Sequence, residues 1–441
     1  MYIHIITFGC QMNLYDSSKM TVLMRQRGYE WTDDPSKADL VLVNSCCIRE
    51  KAEQKFFSQI GRLQRIKEKN PLFRIGICGC VAQREKEYLF QLMPGVDLVF
   101  GTLNIDRLPT LIEKLERHHK KVCEVLNEPV PFHYNGTSSS PIGFNPGSRI
   151  SAWVTIMEGC NNFCSYCVVP YVRGSERSRP PEHILDHIKS LVDCGCKEIT
   201  LLGQNVNSYG VGLSPMINFS ELLYRVNKIE GLSRIRFTTS HPKDFSYELI
   251  EAIRECDKVC EHVHLPLQSG SDKILFRMNR GYSAAEYIEK VNALKAAIPE
   301  TSLTGDMIVG FPSEKDNDFH NTIEVMKKIR FDGLFSFKYS KRPQTEASAY
   351  EGQVPEEVKL ERLRILQNLQ NQISLEKNME LTGKTAPVLV EGTSKKDPTK
   401  LFGRTRSNKI VNFAGNSSLI GTICNVSITR AKPFDLIGEM S

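Results

Sequence analysis

The chain has 441 residues, 41% hydrophobic and 24% charged, enough for about three domains with cores of their own. Lys and Arg outnumber Asp and Glu by only 57 to 51, too little to name a nucleic-acid partner, although residues 379–441 hold nine basic against five acidic residues. No apolar run reaches the ~18 residues of a membrane span and the start, MYIHIITFGC, lacks a basic segment before an apolar one. The expectation is therefore a cytoplasmic chain with no membrane partner, most of whose fourteen cysteines stay reduced.

Residues 1–120 alternate apolar strands with helical patterns: YIHIITFGC, ADLVLVNSCC, FRIGICGCV and DLVFG are each followed by an amphipathic stretch. That alternation predicts βαβ units and an open parallel sheet. Residues 121–148, with NGTSSSPIGFNPGS, read as a linker. Over 149–376 strand candidates return as AWVTIME, EITLLG, RIRFTTS, HVHLPLQ, SLTGDMIVGF and LFSFKYS, separated mostly by helices. Six units fall short of the eight that close a TIM barrel, so a partial β/α barrel is expected, left by the charged helix EEVKLERLRILQNLQNQISLEKN. Over 377–441, APVLVEG, LFGRTRS, KIVNFAG and TICNVSITRAK predict a small all-β barrel. The fold class is thus α/β with a C-terminal β-barrel.

Residues 157–167, MEGCNNFCSYC, place Cys160, Cys164 and Cys167 within eight residues. A zinc site is one reading, since Cys164, Cys167, His183 and His187 have suitable spacing; inert buried thiols are another. Against zinc, the intervening VVPYVRGSERSRPP lacks apolar residues to pack a finger, and Cys160 is left over. The third reading is an iron-sulfur cluster held by three thiolates, with one iron open to another ligand. The spacing, with Tyr166 before the third cysteine, resembles the signature of the radical S-adenosylmethionine (SAM) superfamily.

Cys10, Cys46 and Cys80 each follow a predicted strand and precede a helix. The carboxyl ends of parallel strands line one crevice, where such residues can meet; the alternative is three small buried hydrophobes. Cys47 and Cys78 are neighbouring candidates, and alternation along a strand separates Cys46 from Cys47 but not Cys78 from Cys80. Placement after the strand favours Cys80.

GCQMN, REKAEQK, CGCVAQ, MEGCNNFCSYCVVPYVRG, LLGQNVNSYG, HLPLQSGSDKILFRMNRGYS and IVGFPSE, in this order, resemble the radical SAM methylthiotransferases over essentially the whole chain. The resemblance implies two 4Fe-4S clusters: an auxiliary one on Cys10, Cys46 and Cys80, and the radical-generating one on Cys160, Cys164 and Cys167. It implies SAM as both radical source and methyl donor, and a C-terminal RNA-binding barrel of the TRAM type. LLGQNVNSY and HLPLQSGS are similar to the enzymes that methylthiolate carbon 2 of N(6)-isopentenyladenosine at position 37 of tRNA, adjacent to the anticodon. Relatives acting on threonylcarbamoyladenosine or a ribosomal-protein aspartate are the alternative, and a non-catalytic iron-sulfur module is the alternative from another class. The chain departs from the usual pattern at Cys47, at Ser313 and Gln344, where Gly is common, and at Lys341, where Pro is common. An electron donor such as a flavodoxin or ferredoxin is implied; the sequence names no sulfur donor.

Gly203, Gln204, Asn205, Ser240, His264 and Gln268 follow predicted strands and are the candidates for the SAM pocket, with a strand-to-helix turn as the plain alternative for the first three. His241, before Pro242, is as readily structural as catalytic. Arg404, Arg406, Lys409, Arg430 and Lys432 are the candidate RNA contacts, whereas Phe402 and Phe413 read as core. Arg173, Arg177 and Arg179 stand either for substrate phosphate or for local ion pairs. Cys194, Cys196, Cys256 and Cys260 read as structural, and His118 and His119 as helix-dipole compensation.

Overall fold

The computed structural model describes residues 1–46, 50–118, 120–128, 142–145, 148–394 and 397–441, without the side chains of 50–54. Cys47, His119 and much of the expected linker lie outside the described residues. The chain forms two compact units: residues 1–144, 153–163 and 167–179, and residues 145–152, 164–166 and 180–441. Residues 153–163 and 167–179, expected in the central domain, thus group with the first unit. The core and the C-terminal barrel share the second.

The first unit is built on a six-stranded parallel sheet. Its strands are β1 (Tyr2–Phe8), β2 (Glu30–Trp31), β3 (Leu40–Ser45), β4 (Arg74–Gly79), β5 (Leu98–Phe100) and β6 (Val122–Glu124), in the order β2-β1-β3-β4-β5-β6. β3, LVLVNS, is buried along its length, as a strand covered on both faces must be. One face packs Val41, Val43, Ile75, Ile77, Phe56 and Ile60; the other packs Leu40, Leu42, Cys78, Met20 and Leu111. The crossovers are α1 (Gln11–Gln26), α2 (Glu50–Lys69), α3 (Cys80–Glu85), α4 (Tyr88–Leu92) and α5 (Leu108–His118). QREKEYLFQLM, the amphipathic stretch that follows FRIGICGCV, is divided between α3 and α4 because Lys86 has a positive φ of 52°. β2 and β6, two and three residues long, carry too few positions for a periodic signal.

Next come β7 (Ser151–Thr155) and the antiparallel pair β8 (Met157–Glu158) and β9 (Arg177–Ser178), with α6 (Val169–Arg173) between them in the chain. In the second unit β10 (Glu198–Leu202) pairs in parallel with β11 (Arg234–Phe237). β12 (His262–His264), β13 (Ser302–Val309) and β14 (Gly333–Lys338) form another parallel sheet. Helices α7 (Pro181–Asp193), α8 (Phe219–Asn227), α9 (Tyr247–Glu255), α10 (Asp272–Arg277), α11 (Ala284–Ala297) and α12 (Asp316–Ile329) connect these strands. All six expected core strands form. α13 (Glu356–Met379) then leads into a closed barrel of β15 (Thr385–Thr393), β16 (Lys400–Thr405), β17 (Ile410–Ala414), β18 (Ile423–Ala431) and β19 (Leu436–Met440), ordered β15-β16-β17-β19-β18. β19, LIGEM, is an addition to the expected strands.

The barrel is bolted to the core by buried guanidinium groups. Arg234 donates to the carbonyls of Arg404 (2.6 Å) and Pro387 (3.0 Å), and Arg236 to those of Arg406 and Thr405 (both 2.8 Å). Arg236 also pairs with buried Glu198 at 2.9 Å. Four backbone carbonyls of the barrel are met by charged donors, each such bond worth ~1.5–3 kcal/mol.

Candidate active site

The register of the first sheet brings its strand-end cysteines into one row. Phe8 pairs with Ser45 and Ser45 with Gly79, so Cys10 follows β1 by two residues while Cys46 and Cys80 follow β3 and β4 directly. Cys46 and Cys80 are 1% and 2% exposed. Gly9 makes the approach possible: it has φ 130°, and a Cβ there would lie 2.3 Å from the Cβ of Cys46. Cys78 faces elsewhere. Its thiol meets Met20 at 3.8 Å in the opposite core layer, burial raises its pKa strongly, and Gly79 at φ 86° breaks the alternation that would have kept it with Cys80.

Around this row lies a buried polar frame. Cys10 Sγ donates to Asn13 Oδ1 (3.3 Å), Asn13 Nδ2 to Asn44 Oδ1 (3.1 Å), and Asn44 Nδ2 to the Asn13 carbonyl (2.8 Å) and Ser17 Oγ (3.0 Å). Arg173 of α6 forms a buried ion pair with Asp16 at 2.6 Å. The Cys10 pKa falls to about 7: a hydrogen bond from Cys46 and the Arg173 cation outweigh burial. Cys46 goes the other way, pushed well above an ordinary thiol by its bonds to Cys10 and Cys80 and by burial. Burial lifts Asp16 to about 6 despite Arg173. Among the described residues no three His, Cys, Asp or Glu side chains surround one point as ligands of a single ion do. A cluster asks for something different, because each thiolate binds its own iron and the sulfurs need only line a rim. A row of thiols with a nearby buried cation fits such a group.

The second triad occupies the loop after β8. Gly159 has φ 80° and a Cβ there would sit 2.1 Å from the Ser175 carbonyl; the Cys160 amide donates to the Gly174 carbonyl at 3.3 Å. Cys160 and Cys167 are half-buried, whereas Cys164 is buried. Arg280 Nη1 donates to Cys164 Sγ at 3.2 Å, and His241 Nε2 lies 3.9 Å from the same sulfur. Arg280 is fixed by the Pro266 carbonyl (3.0 Å) and the Tyr282 hydroxyl (2.9 Å). Its cation stays protonated although buried, held so by Tyr166, Tyr282 and Cys164. Burial, followed by the Arg280 charge, lowers His241 to about 2, so the ring is neutral.

Of the expected SAM contacts, Asn205, Ser240 and Gln268 are buried, and Asn205 Oδ1, Ser240 Oγ and Gln268 Oε1 have no hydrogen-bond partner. Asn205 Nδ2 is held by Asp244 at 2.6 Å, and Gln268 adopts φ 76°. An unmet buried polar atom costs ~1–3 kcal/mol, so three of them after strand ends fit a polar ligand such as the aminocarboxylate of SAM. Gly203 is buried and Gln204 half-buried in the turn after β10. His264 bonds Thr304 Oγ1 at 3.0 Å and faces Asp306 at 3.5 Å.

The basic residues of the barrel divide. Arg406 grips Glu261 through both carboxylate oxygens and also the Val259 carbonyl; Lys409 pairs with Asp332 at 2.9 Å, and Arg404 with Glu391 at 3.1 Å. These three, expected at an RNA surface, are engaged in packing the second unit, whereas Arg430 and Lys432 are exposed. Phe413 is buried and Phe402 partly so. Arg173, Arg177 and Arg179 serve local structure, pairing with Asp16, Glu158 (2.5 Å) and the Thr155 carbonyl (3.3 Å). Cys196, Cys256 and Cys260 are buried with thiol pKa values raised by burial. Sequence reasoning missed Arg280, whose partner cysteine is 116 residues away and which lacks a local signal. It also missed Asn13 and Asn44, although GCQMN and VNSCC contain them.

Comparison with known proteins gives the family. Residues 2–101 match the uncharacterized protein family UPF0004, residues 154–326 the radical SAM superfamily and residues 380–441 the TRAM domain. Over 439 residues the chain is 51% identical to the tRNA-2-methylthio-N(6)-dimethylallyladenosine synthase of Syntrophus aciditrophicus, covering 100% of this chain and 94% of that protein. Identity to the synthase of the same name from Clostridium novyi is 49% over 438 residues, covering 99% and 96%. The fold is that of the radical S-adenosylmethionine methyltransferase TsrM from Kitasatospora setae, at a TM-score of 0.58 and 13% identity, covering 79% of this chain and 75% of that one. A second TsrM structure, with cobalamin and a [4Fe-4S] cluster bound, superposes at 0.57 with 14% identity, covering 79% and 77%. Near-complete coverage at about half identity places the chain as a radical SAM enzyme: it belongs to the tRNA-2-methylthio-N(6)-dimethylallyladenosine synthase family.

Proposed function

We propose that this protein methylthiolates carbon 2 of N(6)-isopentenyladenosine at position 37 of tRNA, in the cytoplasm, with an auxiliary 4Fe-4S cluster on Cys10, Cys46 and Cys80 and a radical-generating one on Cys160, Cys164 and Cys167. The observation that carries it is the row of three thiols at adjacent strand ends. A cysteine set separate from the radical loop is what sulfur insertion needs and simpler radical chemistry does not. When bound, the clusters and SAM supply a radical able to take hydrogen from an aromatic carbon, the sulfur that replaces it and, from a second SAM, the methyl group.

The chain's own groups hold and insulate. The Arg280 guanidinium donates to Cys164 Sγ and so fixes the direction in which that sulfur points. Asn13 fixes Cys10, and Arg173 places a cation by the first triad while Asp16 keeps that cation from standing unpaired. Asn205, Ser240 and Gln268 offer buried oxygens to the amino group of SAM. Electrons come from a flavodoxin- or ferredoxin-like donor, and tRNA is the macromolecular partner.

The test is anaerobic incubation of reduced, reconstituted enzyme with SAM and tRNA carrying isopentenyladenosine, followed by nucleoside analysis. The methylthio derivative is the expected product; reaction only with threonylcarbamoyladenosine would overturn the reading. Reconstituted protein is expected to hold about eight irons and the Cys160, Cys164, Cys167→Ala variant about four, whereas loss of nearly all iron would defeat independent clusters.

A further inference from the structure

On the face of the core sheet opposite α13, strand β14 carries two exposed aromatic rings. Along β14 the side chains alternate. Ser336 Oγ accepts from Gln367 of α13 at 3.2 Å, and Lys338 pairs with Glu356 at the start of that helix. Phe335 and Phe337 therefore project to the other side, where they are 57% and 37% exposed. Register pairs Phe335 with Asp306 and Phe337 with Ile308, both half-buried, and His264 with Thr304, so these residues share one face. His264 meets the Phe335 ring edge-on at 6.0 Å. The result is an apolar strip, Ile308, Phe335 and Phe337, edged by the polar group of His264, Asp306 and Thr304.

Resting on the proposed function, we propose that this strip is the subsite that receives the N(6)-isopentenyl group of the target adenosine. That group is the one branched hydrocarbon on an otherwise polar and anionic nucleic acid, and the strip is the matching surface on a face continuous with His264. The aromatic rings offer an apolar wall to the isopentenyl chain. Asp306 adds discrimination. A threonylcarbamoyl group carries a carboxylate, which would be desolvated against the rings and repelled by the Asp306 carboxylate.

The experiment measures affinity, with the full-length, cluster-loaded enzyme and SAM present, for two anticodon stem-loops differing only in the isopentenyl group. Wild type is expected to prefer the prenylated RNA by about tenfold or more, the scale of apolar-pocket discrimination. Phe335→Ala with Phe337→Ala should bring the two affinities within about twofold of each other by weakening only the prenylated RNA. Phe335→Leu, which keeps an apolar side chain, should retain most of the preference. Exposed rings leave the fold intact on truncation, which an unchanged Tm checks. The subsite is overturned if wild type shows no preference, if the Ala variant keeps it, or if both RNAs weaken equally, which would mark a general RNA contact. Failure of the wild type to methylthiolate prenylated tRNA would defeat the proposed function itself; turnover with discrimination unmoved by the variant would defeat only the subsite.

Discussion

Ser313 and Gln344 hold left-handed backbone, with φ of 68° and 70°. An L side chain there costs ~1–2 kcal/mol, and glycine returns ~0.5–1 kcal/mol of that through the entropy of the unfolded chain. Ser313 recovers a little through Oγ donating to the Glu351 carbonyl at 3.3 Å. Ser313→Gly and Gln344→Gly should therefore each raise stability by about 0.5–1 kcal/mol, read as a higher denaturant midpoint at unchanged m-value. A lower midpoint would mean that side-chain contacts outweigh the strain. Both positions stand out in the sequence as departures from a glycine pattern; what the departure costs is visible only in φ. Arg280 is the converse case, since nothing in FRMNRGYS announces a partner 116 residues upstream.

At the scale of elements, Asp332, just before β14, joins three parts of the second unit. Its carboxylate meets Lys377 of α13 at 2.5 Å and Lys409 of the barrel at 2.9 Å. Burial would raise its pKa, but Lys409 and Lys377 hold it below the ordinary carboxylate range. A depressed folded-state pKa contributes stability above the unfolded pKa of ~3.9, and that contribution fades as pH falls through the folded value. Asp332→Asn should cost about 3 kcal/mol near neutral pH, because two lysines lose their counter-charge in a buried setting. The deficit relative to wild type should be flat above pH ~5 and shrink below pH ~4 in parallel urea titrations. A deficit that does not change with pH would show that the charge is not its source. Strands and helices of this unit were legible because their apolar periods are long; the tie that holds them was not, since Asp332, Lys377 and Lys409 lie in unrelated sequence settings.

For the whole molecule, the excess of positive charge in residues 379–441 was readable from composition, but its use was not. Arg406 and Lys409 are committed to Glu261 and Asp332, which leaves Arg430 and Lys432 as the exposed members of the predicted set. Replacing Arg430 and Lys432 by Ala should weaken tRNA binding and flatten its dependence on log salt by about one unit per charge lost. Unchanged slopes would remove both residues from the RNA surface. Deleting the barrel is the poorer experiment, because it strips Arg234 and Arg236 of the carbonyls that satisfy them and destabilises the core as well.

The same four bonds make the barrel a ruler. A domain on a flexible linker dilutes whatever it holds over the volume the linker sweeps, and tolerates cargo of varied length. A barrel locked to the core by Arg234 and Arg236 presents its cargo at one offset from the strand ends. On the proposed function, the expected consequence is selection by length: a stem one base pair longer should bind the barrel as tightly yet react more slowly, whereas a tethered barrel would tolerate it.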